Sequence, residues 1–151
     1  MKPVSPIPKF PGVVLVAGIA WIVLGGIITY QGIVGLLIFA DEPAYFGVTV
    51  LDPTLQDRVR WFGTGLVVVG GLFILAGVLS VRGAGTDTLG KGIGSVLSGV
   101  LVAIMVGGPS LDIRGGGIGV GLVVAGILAL VGRSDYLAWK RSRDSATRLP
   151  A

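Results

Sequence analysis

The chain has 151 residues, 52% hydrophobic and 13% charged, with a mean hydropathy of +0.89 and a net charge of +4. A single water-soluble core of this size cannot hide that much apolar surface, since a small domain buries only about 70% of what its unfolded chain exposes. With no Cys and no His, disulfides, thiolate nucleophiles, histidine-held haem and ordinary zinc sites are excluded.

The first eleven residues hold Lys2 and Lys9 among four prolines, Pro3, Pro6, Pro8 and Pro11. Proline fixes φ and lacks a donor, so this tail reads as extended. Residues 12–40 then run without one charge, GVVLVAGIAWIVLGGIITYQGIVGLLIFA. About 20 apolar residues suffice to cross a bilayer core of ~30 Å, so this run predicts a first span. Lysine followed by an apolar run also resembles a signal peptide. The run is far longer than such an h-region, and Ile38 and Ala40 make a poor cleavage site, so it is expected to stay. Its polar residues, Thr29, Tyr30 and Gln31, sit toward the far end, where Tyr belongs at an interface. Gln31 reads as an interfacial or interhelical hydrogen-bonding group, with a polar pathway as the rival.

Residues 41–60, DEPAYFGVTVLDPTLQDRVR, form the main loop. Asp52-Pro53 is a helix start, with Asp as cap and Pro at the first helical position. Residues 61–81 are the second span, entered through Trp61 and Phe62. A polar turn at 82–91 follows, with Thr86, Asp87 or Thr88 to cap a third span at 92–108. Residues 109–114 make the next turn and 115–132 the fourth span, both later spans being near the lower length limit. In the tail 133–151, Tyr136, Leu137 and Trp139 are expected along the interface, with Lys140, Arg141 and Arg143 toward lipid phosphates.

The fold class predicted is an all-α integral membrane protein, a bundle of four transmembrane helices at 12–40, 61–81, 92–108 and 115–132. It forms one membrane domain, 1–151, with a short tail (1–11) and a basic tail (133–151). An even number of spans puts both termini on one side. Nine of the twelve Lys and Arg residues then share that side, leaving Arg58, Arg60 and Arg114 opposite. The bias predicts cytoplasmic termini. The basic residues flank apolar runs and form no stripe, so the expected surroundings are the lipid bilayer and no nucleic acid.

Glycines recur every seven residues: Gly18, Gly25 and Gly32; Gly63, Gly70 and Gly77; Gly92 and Gly99; Gly119 and Gly126. Seven residues return to nearly one helix face, and glycine there lets helices approach closely where lipid supplies no hydrophobic drive. Four-residue strips also occur, Ser95, Gly99, Ala103 and Gly107, and Gly117, Gly121, Ala125 and Ala129, expected to mate within the second hairpin, with a homo-oligomer contact as the rival. GTGLVVVG at 63–70 is similar to GVGLVVAG at 119–126, a weak internal repeat open to duplication or convergence.

Residues 85–92, GTDTLGKG, approach a phosphate loop. Gly92 stands where a hydroxyl would hold Mg²⁺, and no predicted strand precedes it. GGGIGVG at 115–121 lacks dinucleotide-binding spacing and reads as a turn. No charge falls inside a span, which argues against a proton-coupled exporter. Asp57, Arg58, Arg60, Asp112 and Arg114 read as solvated loop charges, and no nucleophile with its base is visible; Asp41-Glu42 reads as a loop pair. The apolar repeat GIGSVLSGVLVAIMVGGP resembles the glycine-marked hairpins of small bacterial acid-resistance membrane proteins of the HdeD type. That likeness carries no function and no residue role. The expected role is non-enzymatic, without cofactor, metal or catalytic residues: a structural, accessory or assembly subunit of a larger membrane complex or of a homo-oligomer. A small oligomeric transporter or channel is the alternative.

Overall fold

The computed structural model describes residues 9–41, 53–85, 87–106 and 113–147. Among them all regular structure is helical: α1 (Gly12–Asp41), α2 (Pro53–Val81), α3 (Leu89–Val106), α4 (Ile113–Val131) and α5 (Arg133–Thr147).

The helix ends follow local chemistry. α1 begins behind Pro11, whose carbonyl accepts from the Val14 and Leu15 amides at 3.1 and 3.2 Å. α2 begins at the expected Pro53; Asp52 lies outside the described residues. It ends at Gly83, whose φ of 62° is left-handed. There the Ala84 amide reaches Leu79 O at 2.9 Å and the Gly83 amide reaches Ser80 O at 3.1 Å. This paired closure satisfies carbonyls that a helix end leaves free. At the start of α3, Asp87 Oδ1 accepts from the Thr88 and Leu89 amides at 2.6 and 3.1 Å. Asp87 is therefore the cap among the three candidates; Thr88 turns inward and Thr86 lies outside the described residues. The basic tail forms a helix of its own, α5, bent by 51° from α4. The break falls at Gly132, where a Cβ would stand 2.8 Å from Val14 Cγ2.

Two helices are long and apolar enough to cross a membrane, α1 over Gly12–Leu37 and α2 over Arg60–Val81. A third crossing is available if α4 and α5 count as one bent span. Over the described residues α3 counts as a shorter apolar helix, Leu89–Ile104. The chain is thus an all-helical protein, over the described residues, with two to three helices fit for a membrane. The described helices supply two to three candidate spans, not four.

The helices divide into two compact bodies, Ile22–Leu75 and Met1–Trp21 with Ala76–Ala151. In the first, α1 and α2 run antiparallel with glycine facing glycine. A Cβ on Gly25 would stand 2.7 Å from Gly70 O, and one on Gly32 2.8 Å from Gly63 O. Ile28 and Phe73 are buried beside them. In the second body, α3 and α4 repeat the pattern. A Cβ on Gly99 would stand 2.6 Å from Gly119 O, and one on Gly126 2.7 Å from Gly92 O. A step of seven along one helix is a step of seven back along its partner in both bodies.

The strip Gly117, Gly121, Ala125 and Ala129 does not meet α3 as a unit. Gly117 is exposed with nothing within 4 Å of its Cβ position, while α4 meets the α3 glycines through Gly119, Val123, Gly126 and Leu130. On α4, a Cβ at Gly119 or Gly126 would crowd the α3 backbone, at Gly99 O and Gly92 O, 2.7 Å away in each case. Ala125 and Ala129 are nonetheless buried, with Val14, Ala17, Trp21 and Leu122. On α3, Ser95 and Gly99 are buried, and Gly107 lies outside the described residues.

Candidate functional site

The polar groups of the second body gather where α5 closes over the turn between α2 and α3. The turn must be bare of side chains here, because a Cβ on Gly83 would lie 2.6 Å from the Trp139 ring. Phe10 stacks edge-on against Trp139 at 4.8 Å and against Tyr136 at 6.2 Å. Tyr136, 1% exposed, donates to Gly85 O at 2.7 Å, and Lys140 Nζ donates to the same oxygen at 2.8 Å. Burial pushes the Tyr136 phenol up from its ordinary value. Arg143 lies over the Trp139 ring at 5.4 Å, within cation–π range.

Arg133 and Asp87 pair through two parallel bonds, Nε to Oδ1 at 2.8 Å and Nη2 to Oδ2 at 2.7 Å. The hydrogen bond from Arg133 holds the Asp87 carboxyl well below the usual carboxylate range. A depressed carboxylate contributes stability that is full above its ordinary value of 3.8 and is lost as pH falls toward the depressed one. Asp87→Asn is therefore expected to lower the melting temperature in detergent at about pH 6, and the gap to wild type is expected to narrow at about pH 2. A gap of constant size across that range would show that the pair does not carry the effect.

A second set of bonds ties helix to helix. Trp21 Nε1 donates to Ser95 Oγ at 2.8 Å, and Ser95 Oγ donates to Leu122 O at 2.6 Å. Thr88 Oγ1 donates to Ala129 O at 3.0 Å. Lys91 Nζ donates to Ser80 Oγ at 3.1 Å, while Ser80 Oγ donates to Ala76 O at 2.8 Å. Ser80, Thr88 and Ser95 are buried. Satisfying such hydroxyls inside the protein avoids the cost of an orphaned polar group.

The residues singled out in the sequence do not converge on one place. Gln31 and Tyr30 are exposed. Thr29 turns inward, and its hydroxyl is buried without a partner against Gly70. Trp61 and Phe62 are exposed, as interfacial aromatics are. Asp57 and Arg60 are exposed. Glu42, Asp112 and the side chains of Asp41, Arg58 and Arg114 lie outside the described residues. In the turn at 85–92, Asp87 occupies amides that a phosphate would have used. Among the described residues no three His, Cys, Asp or Glu side chains gather as metal ligands.

Sequence reasoning missed the Lys91–Ser80 pair, eleven residues apart on different helices. It also missed the double acceptor at Gly85. Lys91 looked like an ordinary turn charge, and no local pattern marks a carbonyl that two side chains from a distant helix will reach.

No family model, no curated protein and no solved structure matches this chain. The likeness of GIGSVLSGVLVAIMVGGP to the acid-resistance family is a likeness of apolar repeats. The class the fold defines is a helical protein with apolar helices fit for a membrane.

Proposed function

We propose that this protein is a non-enzymatic, multi-pass integral membrane subunit of four spans with cytoplasmic termini. It works through helix–helix contacts, as an accessory or assembly element of a larger complex or of its own oligomer. The carrying observation is the register of facing glycines, Gly25 with Gly70, Gly32 with Gly63, Gly92 with Gly126 and Gly99 with Gly119. Such glycine packing brings backbones together in lipid, where apolar side chains gain little by leaving the bilayer. The buried hydroxyls support it too, since Ser95 and Thr88 are engaged in holding α4.

Gln31 favours the second reading, a small oligomeric transporter or channel. An exposed amide on an apolar helix seeks a partner within the membrane. Purified protein in liposomes separates the two. Ion or solute flux no greater than in empty liposomes, with a stoichiometric larger partner co-purifying from native membranes, is expected. Flux that Gln31→Ala abolishes would overturn the accessory role.

Topology has a separate test. A cysteine at Ala44 is expected to react with an impermeant thiol reagent from outside, and one at Ser145 is not. The reverse pattern inverts the orientation.

A further inference from the structure

Lys91 and Lys140 bring their ammonium groups to one residue. Lys140 Nζ donates to Gly85 O at 2.8 Å. Lys91 Nζ lies 2.5 Å from where a Cβ on Gly85 would stand and donates to Ser80 Oγ. Both side chains are partly withdrawn from water, and the two charges repel each other. Neither is paired with an acid among the described residues. The carboxylate of the turn, Asp87, gives both oxygens to Arg133, while Asp135 and Asp144 on α5 are exposed. Among the described residues the two partly buried cations thus have neutral acceptors only, Ser80 Oγ for Lys91 and Gly85 O for Lys140, an arrangement that an added anion relieves. Arg82 is exposed in the same turn and Arg143 sits over Trp139 one turn along α5.

We propose that Lys91 and Lys140 hold a phosphate-bearing anion, supplied in the membrane by the headgroup of an acidic phospholipid. The phosphate chemistry follows from the two ammoniums, each with donors to spare for phosphate oxygens. The lipid source rests on the integral-membrane reading above; the anion site does not.

The test uses the full chain, delipidated in detergent, with bound lipid counted by native mass spectrometry and stability followed by melting. Phosphatidylglycerol is expected to be retained and to raise the melting temperature, phosphatidylcholine to do neither. Lys91→Gln and Lys140→Gln are each expected to weaken retention about tenfold, the loss of one charge-assisted bond. Lys91→Arg and Lys140→Arg keep the charge and are expected to retain lipid, which separates anion binding from a folding defect. Arg60→Gln removes an exposed charge far from this turn in the sequence and is expected to change nothing. Inorganic phosphate that raises the melting temperature without lipid, in a Lys91- and Lys140-dependent way, supports the site and identifies free phosphate as its source. Retention by the two Gln variants equal to that of the wild type, an equal loss in Arg60→Gln, or equal retention of phosphatidylcholine overturns the proposal. Micelle binding does not depend on orientation, so failure of the cysteine topology test leaves this result readable.

Discussion

Replacing Gly99 with valine is expected to force α3 and α4 apart. The new Cβ would lie 2.6 Å from Gly119 O and 2.8 Å from Val123 N. Both are backbone atoms, so no rotamer change relieves the clash, and the helices must separate or slide. Overpacking a close contact costs about 1–3 kcal/mol and sometimes more. The upper end is expected here, because separation also empties the neighbouring contact at Gly92 and Gly126. Gly94 is the control on the same helix. Nothing lies within 4 Å of its Cβ position, and Gly94→Ala is expected to gain up to ~1 kcal/mol from helix propensity. Unfolding in mixed detergent, followed by circular dichroism, measures both. Similar stabilities for Gly99→Val and Gly94→Ala would mean that α3 and α4 do not touch through glycine. In the other body Gly70→Val faces Gly25 O at 2.6 Å and the Thr29 amide at 2.7 Å, and an equally large loss is expected there.

The next largest effect is expected at Ser95. Its hydroxyl accepts from Trp21 and donates to Leu122 O, so it joins α1, α3 and α4 through one oxygen. Trp21 and Ser95 are both 0% exposed. Ser95→Ala leaves a buried indole N–H without a partner, a loss of about 1–3 kcal/mol. Leu122 O loses only an extra bond and adds less. Between membrane helices single hydrogen bonds are often weaker, averaging ~0.6 kcal/mol. The fully enclosed position of this one argues for the larger figure. A double-mutant cycle with Trp21→Phe isolates the pair, with a coupling of about 1 kcal/mol expected. Coupling near zero would show that the indole finds another partner.

The helix starts were legible wherever the signal is local. An uncharged run behind Pro11 marks α1, and Asp52-Pro53 marks α2, because charge and a fixed φ act on the residues that carry them. The heptad glycines were legible as a pattern for the same reason. α5 was harder to see, since a charged segment such as RSDYLAWKRSRDSAT forms a helix only with something to lean on. Its Tyr136 and Trp139 find Phe10, Gly83 and Gly85, none of them a sequence neighbour. The four-residue strip of α4 misled because spacing names a face without naming its partner.

By itself the sequence determined the apolar runs, their glycine period, the excess of basic charge at one end and the absence of cysteine and histidine chemistry. These are properties of segments, set by transfer energies and backbone preferences that need no distant contact. Only the tertiary structure decided which glycine meets which. It alone turned Gly119 and Gly126, and not Gly117, toward α3, bent the chain at Gly132, and brought Lys91 and Lys140 to the same glycine. Each of those depends on helices far apart in sequence settling at the rotation where their backbones come closest.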